Sequence, residues 1–130
     1  MKTLFIVHGH PSYSIGGAEN AAFSLYREML SEYSESTYIL SAYPLDKKLL
    51  SPGEIMSVDG SESEYLIGTE CAWIPFYNLH PKEFSSGLSR LLVYIKPDII
   101  HVHHYLRFGI DIIPLLKSIA PNAALIVTVH

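Results

Sequence analysis

Thr3-Leu4-Phe5-Ile6-Val7-His8-Gly9-His10-Pro11, followed after a short polar stretch by Ile15-Gly16-Gly17-Ala18-Glu19-Asn20, is the stretch that decides the fold. Thr3 to Val7 is a short apolar run of β-branched and aromatic residues, the pattern of a strand buried on both faces. Gly9 and Pro11 end it. From Ala18 the period changes. Ala18, Ala22, Leu25, Met29 and Tyr33 recur at helical steps, with Ser24, Arg27, Glu28, Ser31 and Glu32 on the other side. The expectation is strand, glycine loop, helix. The first helical N–H groups lack intrahelical partners and the helix dipole favours negative charge, so such a turn suits an anion. A glycine without Cβ lets a phosphate approach the backbone, which makes Gly16 and Gly17 candidate phosphate contacts. The spacing is neither G-x-G-x-x-G nor a P-loop. Gly16-Gly17 therefore also reads as a plain flexible turn, and Glu19 as an acid placed to suit the helix dipole.

Outward from this stretch, strands and helices alternate. Thr37 to Ser41 reads as a second strand, ended by Tyr43-Pro44, and Glu64 to Ile67 as a third. Leu45 to Ser63 is turn-rich at Ser51-Pro52-Gly53 and Asp59-Gly60-Ser61, and Ala72-Trp73-Ile74 is a further extended piece. Pro81 opens a helix with Phe84, Leu88, Leu91, Leu92 and Ile95 on its apolar side, and Lys96-Pro97 closes it. Asp98 to Val102 is a buried strand, Asp111 to Ile119 a short helix capped by Asp111, and Ala124 to Val129 a last buried strand. Alternation of this kind predicts an α/β fold, an open, mainly parallel Rossmann-like sheet with helices on both faces, formed by residues 1–130 as one unit. With 130 residues, 48% of them hydrophobic, the chain can bury one core.

Parallel strands bring their carboxyl ends to one edge, where ligands bind near the reversal of strand order. His8 follows the first strand, His101 and His103 flank the end of the fourth, and His130 follows the last. This gathering of imidazoles is the strongest functional signal in the residues themselves. Net charge is −4 with no Lys/Arg run, which excludes an electrostatic footprint for nucleic acid. The single cysteine, Cys71, excludes an internal disulfide and, with no signal-peptide pattern at the start, predicts a cytoplasmic setting. Peripheral contact with a membrane stays open. Cys71, Trp73, Tyr26 and Tyr33 read as packing residues, and His104 and Arg107 as surface residues.

Three pieces, in order, resemble family 4 of the retaining glycosyltransferases, which have the two-domain GT-B architecture. They are His8-Gly9-His10-Pro11 with Gly16-Gly17-Ala18-Glu19, then Pro97-Asp98-Ile99-Ile100-His101-Val102-His103, then Val127-Thr128-Val129-His130. The resemblance implies the N-terminal, acceptor-side domain of an enzyme that moves a sugar from a nucleotide-diphosphate sugar to a carbohydrate or lipid-linked acceptor, with retention and without a metal or other cofactor. It implies that Gly16 and Gly17 approach the donor diphosphate, that His130 lies by the transferred sugar as the catalytic histidine, and that His8, His10, His103 and Glu19 line the acceptor side. His101 is expected to pack beneath the strand end. The family's C-terminal domain, with paired glutamates and basic residues for the nucleotide, has no counterpart here. The chain is therefore expected to be a truncated half, inactive alone, whose last strand leaves a sheet edge open to self-association.

Two other functions fit the same residues. A metal-dependent hydrolase could use His101 and His103, which share a strand face, with His8 and His10 at the same spacing. A non-catalytic α/β module binding a nucleotide or a protein needs only the fold and the glycine turn.

Overall fold

The computed structural model describes residues 1–12, 16–43, 50–69, 82–105 and 107–129. The expected pieces at Ala72-Trp73-Ile74, Pro81, Cys71 and His130 lie outside these residues. The chain runs β1 (Thr3–Val7), α1 (Gly17–Glu32), β2 (Thr37–Ala42), β3 (Ile55–Ser57), β4 (Glu64–Ile67), α2 (Lys82–Ile95), β5 (Ile99–Val102), α3 (Ile112–Ile119) and β6 (Ala124–Val127). The strands form one sheet in the order β3-β4-β2-β1-β5-β6, parallel except for β3, which pairs antiparallel to β4. The described residues thus form an α/β structure built on a six-stranded, mostly parallel sheet.

Period-two alternation splits the core between the two faces. Leu4, Ile6, Leu40, Ala42, Ile100 and Val102 pack with Phe84, Leu88, Leu91, Leu92 and Ile95 of α2 and Ile112 and Leu116 of α3. Phe5, Val7 and Ile39 point the other way, onto Ala22, Phe23 and Tyr26 of α1. β1 is buried along its whole length because it has a strand on each side and helices on both faces. The expected apolar side of α2 is the one that is buried.

Four expectations need correcting. The buried side of α1 is Glu19, Ala22, Phe23 and Tyr26, whereas Leu25 and Tyr33 are exposed. The helix is turned toward its aromatic residues, and it can bury Glu19 because that carboxylate meets a histidine. Within the turn-rich segment, β3 forms a hairpin with β4. Asp59 and Gly60 both take positive φ, 50° and 72°, and the Ser61 N–H donates to the Val58 carbonyl at 2.8 Å. Such a turn matches the twist of the strands it joins. Asp111 stands at the N-cap of α3 without a side-chain capping hydrogen bond. Finally, β6 is not buried but alternates between exposed and half-buried, because among the described residues it is the outer strand and α1 reaches only the β1–β2 side of its face.

Candidate functional site

Strand order reverses between β1 and β5. The chain leaves β1 toward β2 and β4 on one side, and returns through α2 to β5 and β6 on the other. The carboxyl ends of β1 and β5 are tied together there by the His103 N–H, which donates to the Ile6 carbonyl at 2.8 Å. At this point in a parallel sheet the loops diverge above and below, leaving a crevice.

His8 leaves the end of β1 and turns into the first turn of α1. Its Nε2 donates to Glu19 Oε1 at 2.5 Å, and both side chains are almost wholly buried. A carboxylate that accepts from one ring nitrogen fixes the imidazole's orientation and tautomer, as in hydrolytic triads. His104 stands edge-on to His8, with ring centroids 5.2 Å apart. His104 reaches it through a backbone with φ of 104°, a conformation uncommon outside glycine. It is half-buried rather than a surface residue, and Arg107 likewise has a guanidinium nitrogen shielded from solvent.

Glu19 also decides what Gly16 is for. Gly16 is the N-cap of α1 and its φ of −161° is extended backbone that any residue adopts. A Cβ there would collide with the Glu19 carboxylate, so the missing side chain makes room for this acid. Gly17 is different: it is exposed, and among the described residues nothing lies within 4 Å of where its Cβ would stand. The α1 N-terminus is therefore covered by the chain's own carboxylate at Gly16 and open at Gly17.

His103 is buried, and its ring lies against Phe5 and His101, with centroids 5.8 Å and 4.0 Å away. His101 sits below it on the strand, as expected, and its Nε2 is 2.7 Å from Thr128 Oγ1. The two rings stack rather than converge. Among the described residues no three His, Cys, Asp or Glu side chains come together as metal ligands would.

His10 goes elsewhere. Its ring packs edge-on to Phe23, its Nδ1 accepts from the Ser12 N–H at 3.1 Å, and its Nε2 lies 3.3 Å from Glu64 Oε1. With Nδ1 accepting, the proton sits on Nε2 and points at the carboxylate. His10 thus braces the loop against β4. The structure brings His8, Glu19, Gly16 and His104 together, sets His103 beside the end of β1, and places His10 apart. His130 lies outside the described residues.

No family model, curated protein or solved structure matches this chain. The geometry stands alone.

Sequence reasoning missed the carboxylate partners. Glu19 reads as a dipole acid and, by the resemblance, as an acceptor-side residue, but not as the partner of His8; Glu64 reads as the first residue of a strand and Thr128, which holds His101, as part of one. None carries a local signal, since each partner arrives from a different element. Two buried hydroxyls at the same sheet edge, Ser41 Oγ and Thr69 Oγ1, have no hydrogen-bond partner among the described residues. They add polar capacity where β2 and β4 end. Among the described residues no helix is long and apolar enough to cross a membrane.

Proposed function

We propose that this chain supplies the acceptor-side half of a retaining sugar-transfer crevice, the N-terminal domain of a family 4 glycosyltransferase with GT-B architecture. The observation that carries it is the meeting, at the reversal of strand order, of an exposed glycine helix start with imidazoles held by neighbouring side chains. Transfer from a nucleotide-diphosphate sugar needs the departing diphosphate stabilised more than it needs a strong base. Backbone N–H groups at Gly17 suit that task. His8, fixed by Glu19, is suited to hold an acceptor hydroxyl in one orientation. His103 walls the same side, and His130 is proposed to face the transferred sugar. A second domain would supply the nucleotide contacts, so the chain by itself is proposed to bind weakly and transfer nothing.

One observation favours a second function, a non-catalytic α/β binding module: the Glu19 carboxylate already occupies the space above Gly16. A diphosphate must approach by Gly17 or displace that acid.

Amide chemical-shift mapping of the isotope-labelled chain, titrated with uridine- and guanosine-diphosphate sugars, decides between them. The sugar-transfer proposal expects millimolar binding with the largest shifts at Gly16, Gly17 and the amides after β1 and β5. Shifts confined to other surfaces, or none at saturating nucleotide sugar, would sink it. So would sugar transfer catalysed by the purified 130-residue chain alone, which would contradict the need for a second domain.

A further inference from the structure

Building on the sugar-transfer proposal, we infer that His104 is a ligand-contacting residue of this crevice. Its imidazole is held out to a hydroxyl of the transferred sugar by a backbone conformation that glycine would adopt more easily. Among the described residues, four other than glycine have positive φ: Asp59 at 50°, Lys96 at 54°, Arg107 at 69° and His104 at 104°. The first three fall in the left-handed helical region, which ordinary residues visit at turns and helix ends. Asp59 does so in the β3–β4 hairpin and Lys96 directly after α2. His104 lies well outside that region, where only glycine goes without strain. Elsewhere the chain does use glycine for such a turn: Gly53 has a φ of 84° and Gly109, in the same loop as His104, has 81°. An imidazole at 104 is thus kept against the preference of its own backbone.

Packing does not account for it. The ring stands edge-on to His8, with centroids 5.2 Å apart, and tilted to Tyr105 at 5.3 Å. Ring contacts of this kind contribute about as much as a strained backbone costs, so the two roughly cancel. Strain of this sort collects at binding and active sites, where a side chain must meet a ligand. The burial of the neighbouring histidines agrees. His8 is 5% exposed and His103 is 4% exposed, whereas His104 is half-buried. Of these three imidazoles at the ends of β1 and β5, His104 has the most surface to offer a ligand.

Placement selects the ligand group. Gly16, Glu19, His8 and His104 adjoin one another in that order, from the start of α1 to the end of β5. A diphosphate seated at Gly17 would present its sugar to the far end of that row. A neutral imidazole has one donor and one acceptor nitrogen, which suits a hydroxyl that both gives and takes a hydrogen bond. A phosphate, which only accepts, has no use for the second.

His104→Gly and His104→Ala test this beside the wild-type chain. Both variants lack the imidazole and they differ by one Cβ, so their thermal midpoints isolate the backbone. At an unstrained position alanine is the more stable of the two, because glycine leaves the unfolded chain more freedom. Here glycine should be the more stable, with a midpoint about 3 °C or more above that of alanine. Amide and imidazole chemical-shift titrations then compare uridine-diphosphate glucose and guanosine-diphosphate mannose with the bare diphosphates. In the wild type the His104 ring signals should move with a sugar nucleotide and stay nearly still with the diphosphate alone. Both variants should bind the sugar nucleotide about three- to tenfold more weakly and the bare diphosphate as the wild type does. Absence of shifts at Gly16 and Gly17 with all four nucleotides would end the crevice proposal, and the role of His104 with it. Shifts at those glycines, with sugar-nucleotide affinity unchanged in both variants, would overturn the role of His104 alone. So would equal losses for sugar nucleotide and bare diphosphate, which would mean a phosphate contact. An alanine variant at least as stable as the glycine one would do the same, since no strain would then be present.

Discussion

At the scale of single residues, the chain's chemistry is set by pairs rather than by motifs. Gly16 and Glu19 form one: the glycine is small because the carboxylate folds back over it. Glu19→Ala strips a buried imidazole of its carboxylate and should cost about 3 kcal/mol of stability. Gly16→Ala drives a Cβ into the same carboxylate and should cost about 2 kcal/mol. The two changes are not additive. With the acid gone, the extended backbone at 16 accepts alanine, and the substitution becomes neutral or stabilising by about 0.5 kcal/mol. Urea unfolding of the two single variants and the double variant measures the coupling. Additive losses would mean that Gly16 is not shaped by Glu19. Tyr26 forms a second pair, its hydroxyl 2.6 Å from Ser63 Oγ. Burial holds its pKa above the ordinary 10.0, against the lowering effect of that hydrogen bond. A raised folded pKa means the unfolded chain ionises first. The stabilisation is complete below pH 10 and drains away as pH climbs through the folded value. Tyr26→Phe should cost about 1 kcal/mol at neutral pH. Its melting temperature should then fall less steeply than that of wild type above about pH 10.

At the scale of elements, α1 and α2 show what a periodic pattern can and cannot say. α2 has one apolar side, and the sequence identifies it. α1 offers two adjacent ones, through Leu25 and Tyr33 or through Phe23 and Tyr26, and only the second is buried. The deciding residue is Glu19, which the sequence reads as an acid suited to the helix dipole and which pairing with His8 draws inside. The β3–β4 hairpin hid for a different reason. Three residues are too few to show alternation, and Asp59-Gly60 was its only local sign. Packing of α2 leads to a sharper expectation. Gly87 lies on the buried side of the helix, and a Cβ there would collide with the Gly53 carbonyl, while a Cβ on Gly53, whose φ is 84°, would collide with Glu83 backbone. Backbone touches backbone, and neither can yield as a side chain does. Helix propensity alone favours Gly87→Ala by about 1 kcal/mol. The clash should reverse that sign and leave the variant about 1–2 kcal/mol less stable than wild type. A thermal melt in which Gly87→Ala raises the midpoint would show that the loop at Gly53 is free to move away.

At the scale of the whole molecule, the parallel sheet was legible because buried strands and turn residues alternate clearly along the chain. The site was legible only in outline. His8 and His103 follow strands that the topology makes neighbours, but sequence could not show that His10 is drawn off to Glu64 or that His104 turns back toward His8. The same topology makes stability uneven across the sheet. β1 has a strand on either side and helices on both faces, so its amides open only with the fold. Among the described residues β6 has one neighbour and a half-bare face. Amide hydrogen exchange on dilute chain should therefore be slowest at Leu4, Phe5 and Ile6. Along β6 it should alternate. Ile126 and Thr128, directed at β5, exchange slowly, whereas Leu125 and Val127, directed outward, exchange close to the rate of unstructured chain. Uniform exchange along β6 would mean that its outward amides are not distinguished from its inward ones. The parallel register of β6 on β5 would then fail with it.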